Sequence, residues 1–324
     1  ESRPAKPFVG TVGPGQAVRI MTGAPMPAGT DAVLVAEVAQ IEPDGTVLAP
    51  EAVTPGRHVG RVGEDIAKGR EVLAAGRRLR PQDVGLLASI GLSDAKVVRR
   101  PRVAILVTGN ELLPPGSQPE GFKIVDSNSP MLAALVDRDG GEPAAVQSLP
   151  DDYAAVRDAI REASSTADVI LISGGSSVGA EDHAPRALVE IGELAVHGVA
   201  LRPASPTGIG FVAGRVVFLL PGNPVSCLCA YDLFAGRVIR RLGGLGWELP
   251  YRRESIRLTA KIVSAIGRVD YVRVKVEEGH AAPIAASGAS ILSSTVMADG
   301  FVLVDRDREG FAPGEVVEVW MYER

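Results

Sequence analysis

The stretch Asp168-Val-Ile-Leu-Ile-Ser-Gly-Gly-Ser-Ser-Val-Gly-Ala-Glu-Asp182 holds the residue types of anion chemistry. Ser173, Ser176 and Ser177 offer hydroxyl donors without bulk. Gly174, Gly175 and Gly179 allow positive φ, so backbone N–H groups can converge on a phosphate. Asp182 follows at once. A carboxylate beside a phosphate repels it unless a hard cation such as Mg²⁺ bridges the two or the acid orients a water. A Gly-rich turn between strand and helix has the same composition, so other stretches must decide.

Those stretches follow predicted strands. From Arg102 to Gly244 short apolar runs alternate with helical patterns. The expected strands are Val103–Val107, Ala144–Gln147, Val169–Ile172, Leu194–Ala200 and Val216–Leu220. The expected helices lie near Pro130–Arg138, Tyr153–Ala163, Ala184–Ile191 and Val225–Leu242. This is the pattern of a doubly wound α/β domain, whose ligands bind outside the carboxyl ends of the strands. The residues after the five strands are Thr108-Gly-Asn-Glu111, Asp151-Asp152, the Gly/Ser loop with Asp182, Arg202-Pro-Ala-Ser-Pro206 and Pro221-Gly-Asn-Pro-Val-Ser226. Carboxylates, hydroxyls and one guanidinium are thus expected at one rim. Singly, each has an ordinary explanation. Asp151 or Asp152 can cap a helix, Glu111 can be a solvated loop acid, and Ser226 can sit in a first helical turn.

The flanks differ. Before the α/β region, Ala17–Met21, Ala32–Ala36 and Thr46–Val53 read as strands of a β module over 1–62, with Thr22 presented by a loop stiffened by Pro25 and Pro27. Residues 63–100 form a connector, in which Pro81 opens a short helix closed by Gly91. The α/β domain occupies 101–244. Over 245–324 only short strand-like runs remain, at Ile256–Ala260, Tyr271–Val276, Phe301–Val304 and Val316–Met321, which implies a small β barrel or sandwich. Four scattered histidines and the i, i+2 pair Cys227 and Cys229 compose neither a zinc site nor a disulfide. A net charge of -5 argues against a general nucleic-acid surface, and no apolar run is long enough to span a bilayer. A reducing, cytoplasmic setting fits the cysteine usage.

With these motifs in series the chain resembles the MoeA family, the molybdopterin molybdotransferases, including the E domain of gephyrin. The resemblance rests on Ile20-Met-Thr-Gly-Ala-Pro25, Gly63-Glu-Asp-Ile66, Thr108-Gly-Asn-Glu-Leu112, Asp126-Ser-Asn128, Ser173-Gly-Gly-Ser-Ser-Val-Gly179 and Leu220-Pro-Gly-Asn-Pro-Val-Ser226. It implies a transferase that inserts molybdate into adenylylated molybdopterin and releases AMP in a Mg²⁺-dependent reaction. It also implies a homodimer whose cleft sets Thr22 of one subunit against the α/β domain of the other, with the upstream molybdopterin adenylyltransferase as a further partner. By the same resemblance Glu111 and Asp182 handle Mg²⁺ and the phosphoanhydride, with Asp152 beside them. Thr22, Asp65, Asp126, Asn223, Ser294 and the Gly/Ser loop contact the substrate. Pro221, Pro224 and Ser226 line the cofactor and oxyanion pocket. Two departures stand out. Arg202-Pro-Ala-Ser-Pro206 replaces a Lys-Pro-Gly-Lys-Pro or Lys-Pro-Gly-Leu-Pro segment, so Arg202 keeps a cation while Ser205 stands where a second lysine is usual. The family's N-terminal segment, with its Ser-Ala-Met-Asp-Gly-Tyr stretch, does not precede Glu1, which would remove an acidic site residue and part of the dimer surface. The competing readings are a pterin-binding scaffold of the same fold without turnover, and a Mg²⁺-dependent phosphate-ester hydrolase.

Overall fold

A computed structural model describes residues 1–175, 182–284 and 288–322. Ser176, Ser177 and Gly179 of the Gly/Ser loop lie outside the described residues. The chain divides into two compact units, Glu1–Ala74 and Ala75–Arg324.

The first unit has little regular structure. Gln40–Ile41 and Val47–Leu48 form a two-residue antiparallel ladder, and isolated bridges join Ser2 to Ile20 and Thr11 to Ala28. The strands expected at Ala17–Met21 and Ala32–Ala36 do not form as ladders. Their apolar residues lack a layer to pack against, because Ser2, Val12 and Pro27 are the buried residues of this unit. A strand gains stability from neighbours on its face, not from its own propensity.

The second unit is built on a six-stranded sheet. Its strands are β1 (Arg102–Thr108), β2 (Glu142–Leu149), β3 (Val169–Ser173), β4 (Glu193–His197), β5 (Gly208–Val212) and β6 (Arg215–Leu220), in the order β2-β1-β3-β6-β5-β4. Strands β2, β1, β3 and β6 run parallel, while β5 pairs antiparallel with both β6 and β4. The strand β5 was not expected from sequence. Its Gly208-Ile-Gly-Phe-Val212 alternates glycine with apolar residues, and a Cβ on Gly210 would stand 2.1 Å from Glu193 O, so only glycine permits the pairing.

Alternation along β1 divides the core. Val103, Ile105 and Val107 pack on one face with α2 (Asn128–Arg138) and α5 (Pro224–Ala230), whereas Ala104 and Leu106 pack on the other with α3 (Tyr153–Thr166). Ala184, Ala187 and Leu188 of α4 (His183–Ile191) extend that second layer. The helix expected over Val225–Leu242 is interrupted. A π-helical turn at Tyr231–Ala235 separates α5 from α6 (Gly236–Leu242). Beside the turn, Arg138 at the end of α2 pairs with fully buried Asp139 and Asp232, and Tyr251 Oη donates to Asp232 at 2.9 Å. This network ties together two helices whose N-terminal ends face one cavity, described below.

The last region is a closed barrel of five strands, β7 (Arg252–Leu258), β8 (Val269–Glu277), β9 (His280–Pro283), β10 (Gly300–Val304) and β11 (Val316–Met321). The order is β9-β7-β11-β10-β8, and a β8–β9 pairing completes the ring. Val272, Val274, Val302, Val304, Val317 and Val319 fill its interior, while Tyr271 and Phe301 stack at 4.0 Å on the side facing the α/β core. A short strand, Leu201–Arg202, pairs in parallel with Val269 and Asp270 of β8. The segment expected to follow the fourth strand onto the α/β rim therefore begins on the barrel sheet.

Candidate functional site

The carboxyl ends of β1, β3 and β6 meet at a cavity of about 880 Å³. Thr108, Gly109 and Glu111 enter after β1, Ser173, Gly174 and Gly175 after β3, and Pro221 to Pro224 after β6. Asp126 and Asn128 at the start of α2, Asp151 after β2 and Asp182 before α4 complete the polar wall. The architecture explains the convergence, since parallel strands place all their exit loops at one end of the sheet.

Hydrogen bonds hold these loops together. Asn128 Nδ2 donates to Ser173 Oγ at 2.9 Å and to Gly222 O at 2.7 Å, tying α2 to the loops after β3 and β6. The carbonyl of Gly222 fixes the amide orientation, because a flipped Asn128 would bring two oxygens together. Asp126 Oδ1 accepts from the N–H groups of Asn128 and Ser129 at 2.9 and 3.0 Å and so caps α2. Asn110 N–H donates to Asp151 Oδ2 at 2.9 Å, and Asp151 N–H donates back to Asn110 Oδ1 at 3.2 Å, joining the loops after β1 and β2.

The glycines are required where the loops cross. Gly174 has φ +93°, and a Cβ there would lie 2.5 Å from Thr108 O. Gly175 has φ +55°, and its Cβ would stand 3.2 Å from Thr108 Oγ1 and 3.9 Å from Asp182 Oδ1. The first side chain after Ser173 must therefore be absent for the β3 loop to cross β1 so closely. Two nearly buried groups on the wall keep an unused polar atom: Thr108 Oγ1 and Asn128 Oδ1 have no hydrogen-bond partner among the described residues. Cys227 lies beneath, 3.7 Å from Ser173 Oγ, and burial pushes its thiol up to about 12. It is a packed thiol, not a nucleophile.

The electrostatics are one-sided. Glu111, Asp126, Asp151 and Asp182 line the cavity, with no lysine, arginine or histidine among the described lining residues. The described residues also contain no group of three or more His, Cys, Asp or Glu that could hold a metal ion by themselves. An anionic ligand entering here needs a cation of its own or hydrogen-bond donors that suit carboxylates.

Of the residues singled out from sequence, Glu111, Asp126, Ser173, Gly174, Gly175, Asp182, Pro221, Asn223 and Pro224 are brought together at this cavity. Others are placed elsewhere. Asp152 accepts from Ala155 N–H at 2.9 Å and caps α3, while its neighbour Asp151 lines the wall. Ser226 is buried inside α5, where the helical turn carries it away from the lining. Ser294 donates to Ile291 O, and the barrel segment contributes Ser290 and Leu292 instead. Arg202 and Ser205 are exposed and do not line the cavity, because the pairing of Leu201–Arg202 with the barrel directs the chain elsewhere. Pro206 lines it. Thr22 and Asp65 are exposed residues of the N-terminal unit. Thr108, Asn128 and Asp151 carry no assigned role in the sequence analysis, although Thr108 and Asp151 are expected at the rim. The first two stand inside the motifs quoted above, and their signal was position at a strand end and a helix start.

Three family models tile the chain. One described as "MoeA N-terminal region (domain I and II)" matches residues 2–91, "Probable molybdopterin binding domain" matches 104–241, and "MoeA C-terminal region (domain IV)" matches 255–322. The molybdopterin molybdenumtransferase of Haemophilus influenzae is 33% identical over 309 residues, covering 94% of this chain and 76% of that protein. Molybdopterin molybdenumtransferase 2 of Mycobacterium tuberculosis is 35% identical over 319 residues, covering 96% and 78%. Two crystal structures of the molybdopterin biosynthesis MoeA protein of Pyrococcus horikoshii superpose with TM-scores of 0.84 and 0.81 at 34% and 31% identity. They cover 100% and 97% of this chain and 80% and 78% of their own.

Proposed function

Because this chain belongs to the MoeA family of molybdopterin molybdenumtransferases, enzymes of molybdenum cofactor biosynthesis, we propose that its carboxyl-end cavity binds adenylylated molybdopterin while molybdate enters the dithiolene and AMP leaves. One observation carries the placement. Four carboxylates and a close-crossing glycine turn share a single wall at the strand ends, where a phosphoanhydride can rest against backbone.

The donor set suits Mg²⁺. Carboxylate oxygens are its usual protein ligands, and it commonly takes only one or two of them plus substrate phosphates. Glu111 and Asp182 are the residues we assign to hold it. Bound there, the ion would neutralise charge on the phosphoanhydride. Asp126 and Asp151 are committed through one oxygen each to backbone N–H groups, so they position loops. Gly174 and Gly175 let backbone approach the phosphate, and Asn128 holds the loops after β3 and β6 at a fixed separation.

We further assign a homodimer. The unit Glu1–Ala74 buries Ser2, Val12 and Pro27 and leaves Val9, Ile41 and Val62 exposed, which is too little core for a unit of that size to stand alone. Sedimentation at micromolar concentration should give a dimer. Interaction with the molybdopterin adenylyltransferase and a cytoplasmic setting belong to the same proposal. Among the described residues no helix is long and apolar enough to cross a membrane. The decisive assay incubates the protein with adenylylated molybdopterin, Mg²⁺ and molybdate, and follows AMP and active cofactor. Binding without AMP release would favour a scaffold, and hydrolysis of unrelated phosphate esters at comparable rates would favour a hydrolase.

A further inference from the structure

The six-stranded sheet has a second concavity at its opposite end. Strand β3 runs from Val169 to Ser173, so at about 3.3 Å per residue roughly 13–17 Å separates its two ends. At the amino end a cavity of about 660 Å³ opens between the β5–β6 hairpin and the helical run that ends in α6. Its floor is apolar, made by Phe211, Phe218, Leu233, Phe234, Leu242 and Trp247. Phe211, Leu242 and Trp247 remain 42%, 47% and 51% exposed, which is unusual for side chains that could have been folded inward.

The rim is basic. Asp168 is the single acid on it and is already saturated: Arg99 donates two hydrogen bonds at 2.8 and 3.0 Å, Arg102 N–H one at 2.8 Å, and Arg215 one at 3.4 Å. That last contact is the only side-chain hydrogen bond of Arg215 among the described residues. Arg237 lies over the Trp247 ring at 5.8 Å and donates its Nε to Trp247 O at 2.8 Å, while its terminal nitrogens meet no acceptor among the described residues. Three guanidinium groups against one carboxylate leave the pocket with a net of two positive charges.

We propose that this pocket is a binding site for an amphipathic carboxylate, with an alkyl or aryl body on the Phe211–Phe234–Trp247 floor and its anionic head between Arg215 and Arg237. The volume lies within the ~300–1,000 Å³ typical of small-molecule pockets. A guanidinium fork matches a carboxylate, and the free nitrogens of both arginines supply such forks. A neutral ligand of the same body would bury floor area but leave those donors unmatched. A cationic one would meet like charge.

Decanoate serves as the probe, with decanol and decylammonium as controls of equal length, all below their micelle concentrations. The chain has two tryptophans, and Trp320 stacks on Phe301 at the barrel, so Trp247 emission reports the pocket and Trp247→Phe identifies its share. Decanoate should shift that emission saturably, with one site per chain by calorimetry, at least tenfold tighter than decanol, and decylammonium should not bind. The Arg215→Gln/Arg237→Gln variant should bring decanoate to the decanol level without moving the thermal midpoint. Arg215→Gln alone, which does not touch Trp247, should lower decanoate affinity severalfold. Equal affinity for decanoate and decanol, full decanoate affinity in the double variant, or no binding at all, including occlusion of the face by a second copy of the chain, would each overturn the assignment.

Discussion

The two ends of one sheet have been finished with opposite chemistry. Strand β3 is buried throughout, and β1 and β6 are buried beyond their first residues, Arg102 and Arg215-Val216, so their interior residues answer only to packing. At the carboxyl end the chain leaves them through glycines and four carboxylates, and among the described residues the lining holds no cation and two buried polar atoms have no partner. At the amino end the acid Asp168 is fully met by arginines, and aromatic side chains remain in the open. The difference teaches where to look for chemistry in such a sheet. Both ends keep an excess of charge, of opposite sign: the acidic end calls for a ligand that brings a cation or hydrogen-bond donors, and the basic, apolar end for an anion with an apolar body.

The sharpest way to break this contrast is to neutralise one carboxylate at the carboxyl end. Asp182→Asn should lower AMP release by about 100-fold or more while the thermal midpoint holds, since the neutral amide is a weaker Mg²⁺ ligand than a carboxylate and cannot accept a proton. Unchanged release in a folded variant would mean that the acidic wall is not used in the way proposed. A smaller but still large effect tests the close crossing of loops. Gly174→Ala puts a Cβ 2.5 Å from Thr108 O at φ +93°, and should cost about 2–4 kcal/mol in chemical denaturation.

Next comes the difference between a satisfied and an unsatisfied polar atom. Asn128→Ala removes one buried and one part-buried hydrogen bond, leaving Gly222 O without its amide donor and Ser173 Oγ with only its Cys227 contact, for an expected loss of about 1–3 kcal/mol. Thr108→Val removes a hydroxyl that has no partner among the described residues, so stability from urea denaturation should stay within about 0.5 kcal/mol of wild type. If the two variants lose equal stability, the hydrogen-bond assignment at this wall is wrong. The smallest effect belongs to the amino end. The Arg99 hydrogen bonds, aided by Arg102 N–H and Arg215, hold the Asp168 carboxyl below the usual carboxylate range against the opposing influence of partial burial. Its folded-state value is depressed, so the stability it contributes is present above about pH 4 and is lost as pH falls through that depressed value. Urea midpoints between pH 5 and 2 should fall less steeply in Asp168→Asn than in wild type.

Much of this was legible without coordinates. The apolar runs of β1, β3 and β6 and the glycines after β3 identify themselves because burial on both faces leaves no polar alternation to confuse them. So do the helices between them. Strand β5 escaped because its Gly208 and Gly210 suppress strand propensity, and they are there for close backbone approach, a property of the partner strand rather than of the segment. The N-terminal strands were over-read for the converse reason: Ala17–Met21 and Ala32–Ala36 have β-like composition but no layer to cover them within their unit.

At the cavity, sequence alone determined which residue types stand at the strand ends. That followed from the motifs and from the rule that parallel strands gather their exit loops on one side. Tertiary structure alone decided which of two adjacent acids faces the wall, since Asp152 accepts from Ala155 N–H as a cap and Asp151 turns toward Asn110. It also decided that Arg202 joins the barrel sheet and that Asn128 becomes the tie between two loops. The physical reason is range. Residue type and periodicity act through neighbours a few positions away, whereas the partner of a cap, an edge strand or a buried amide is chosen by segments tens of residues distant, brought near only when the core has closed.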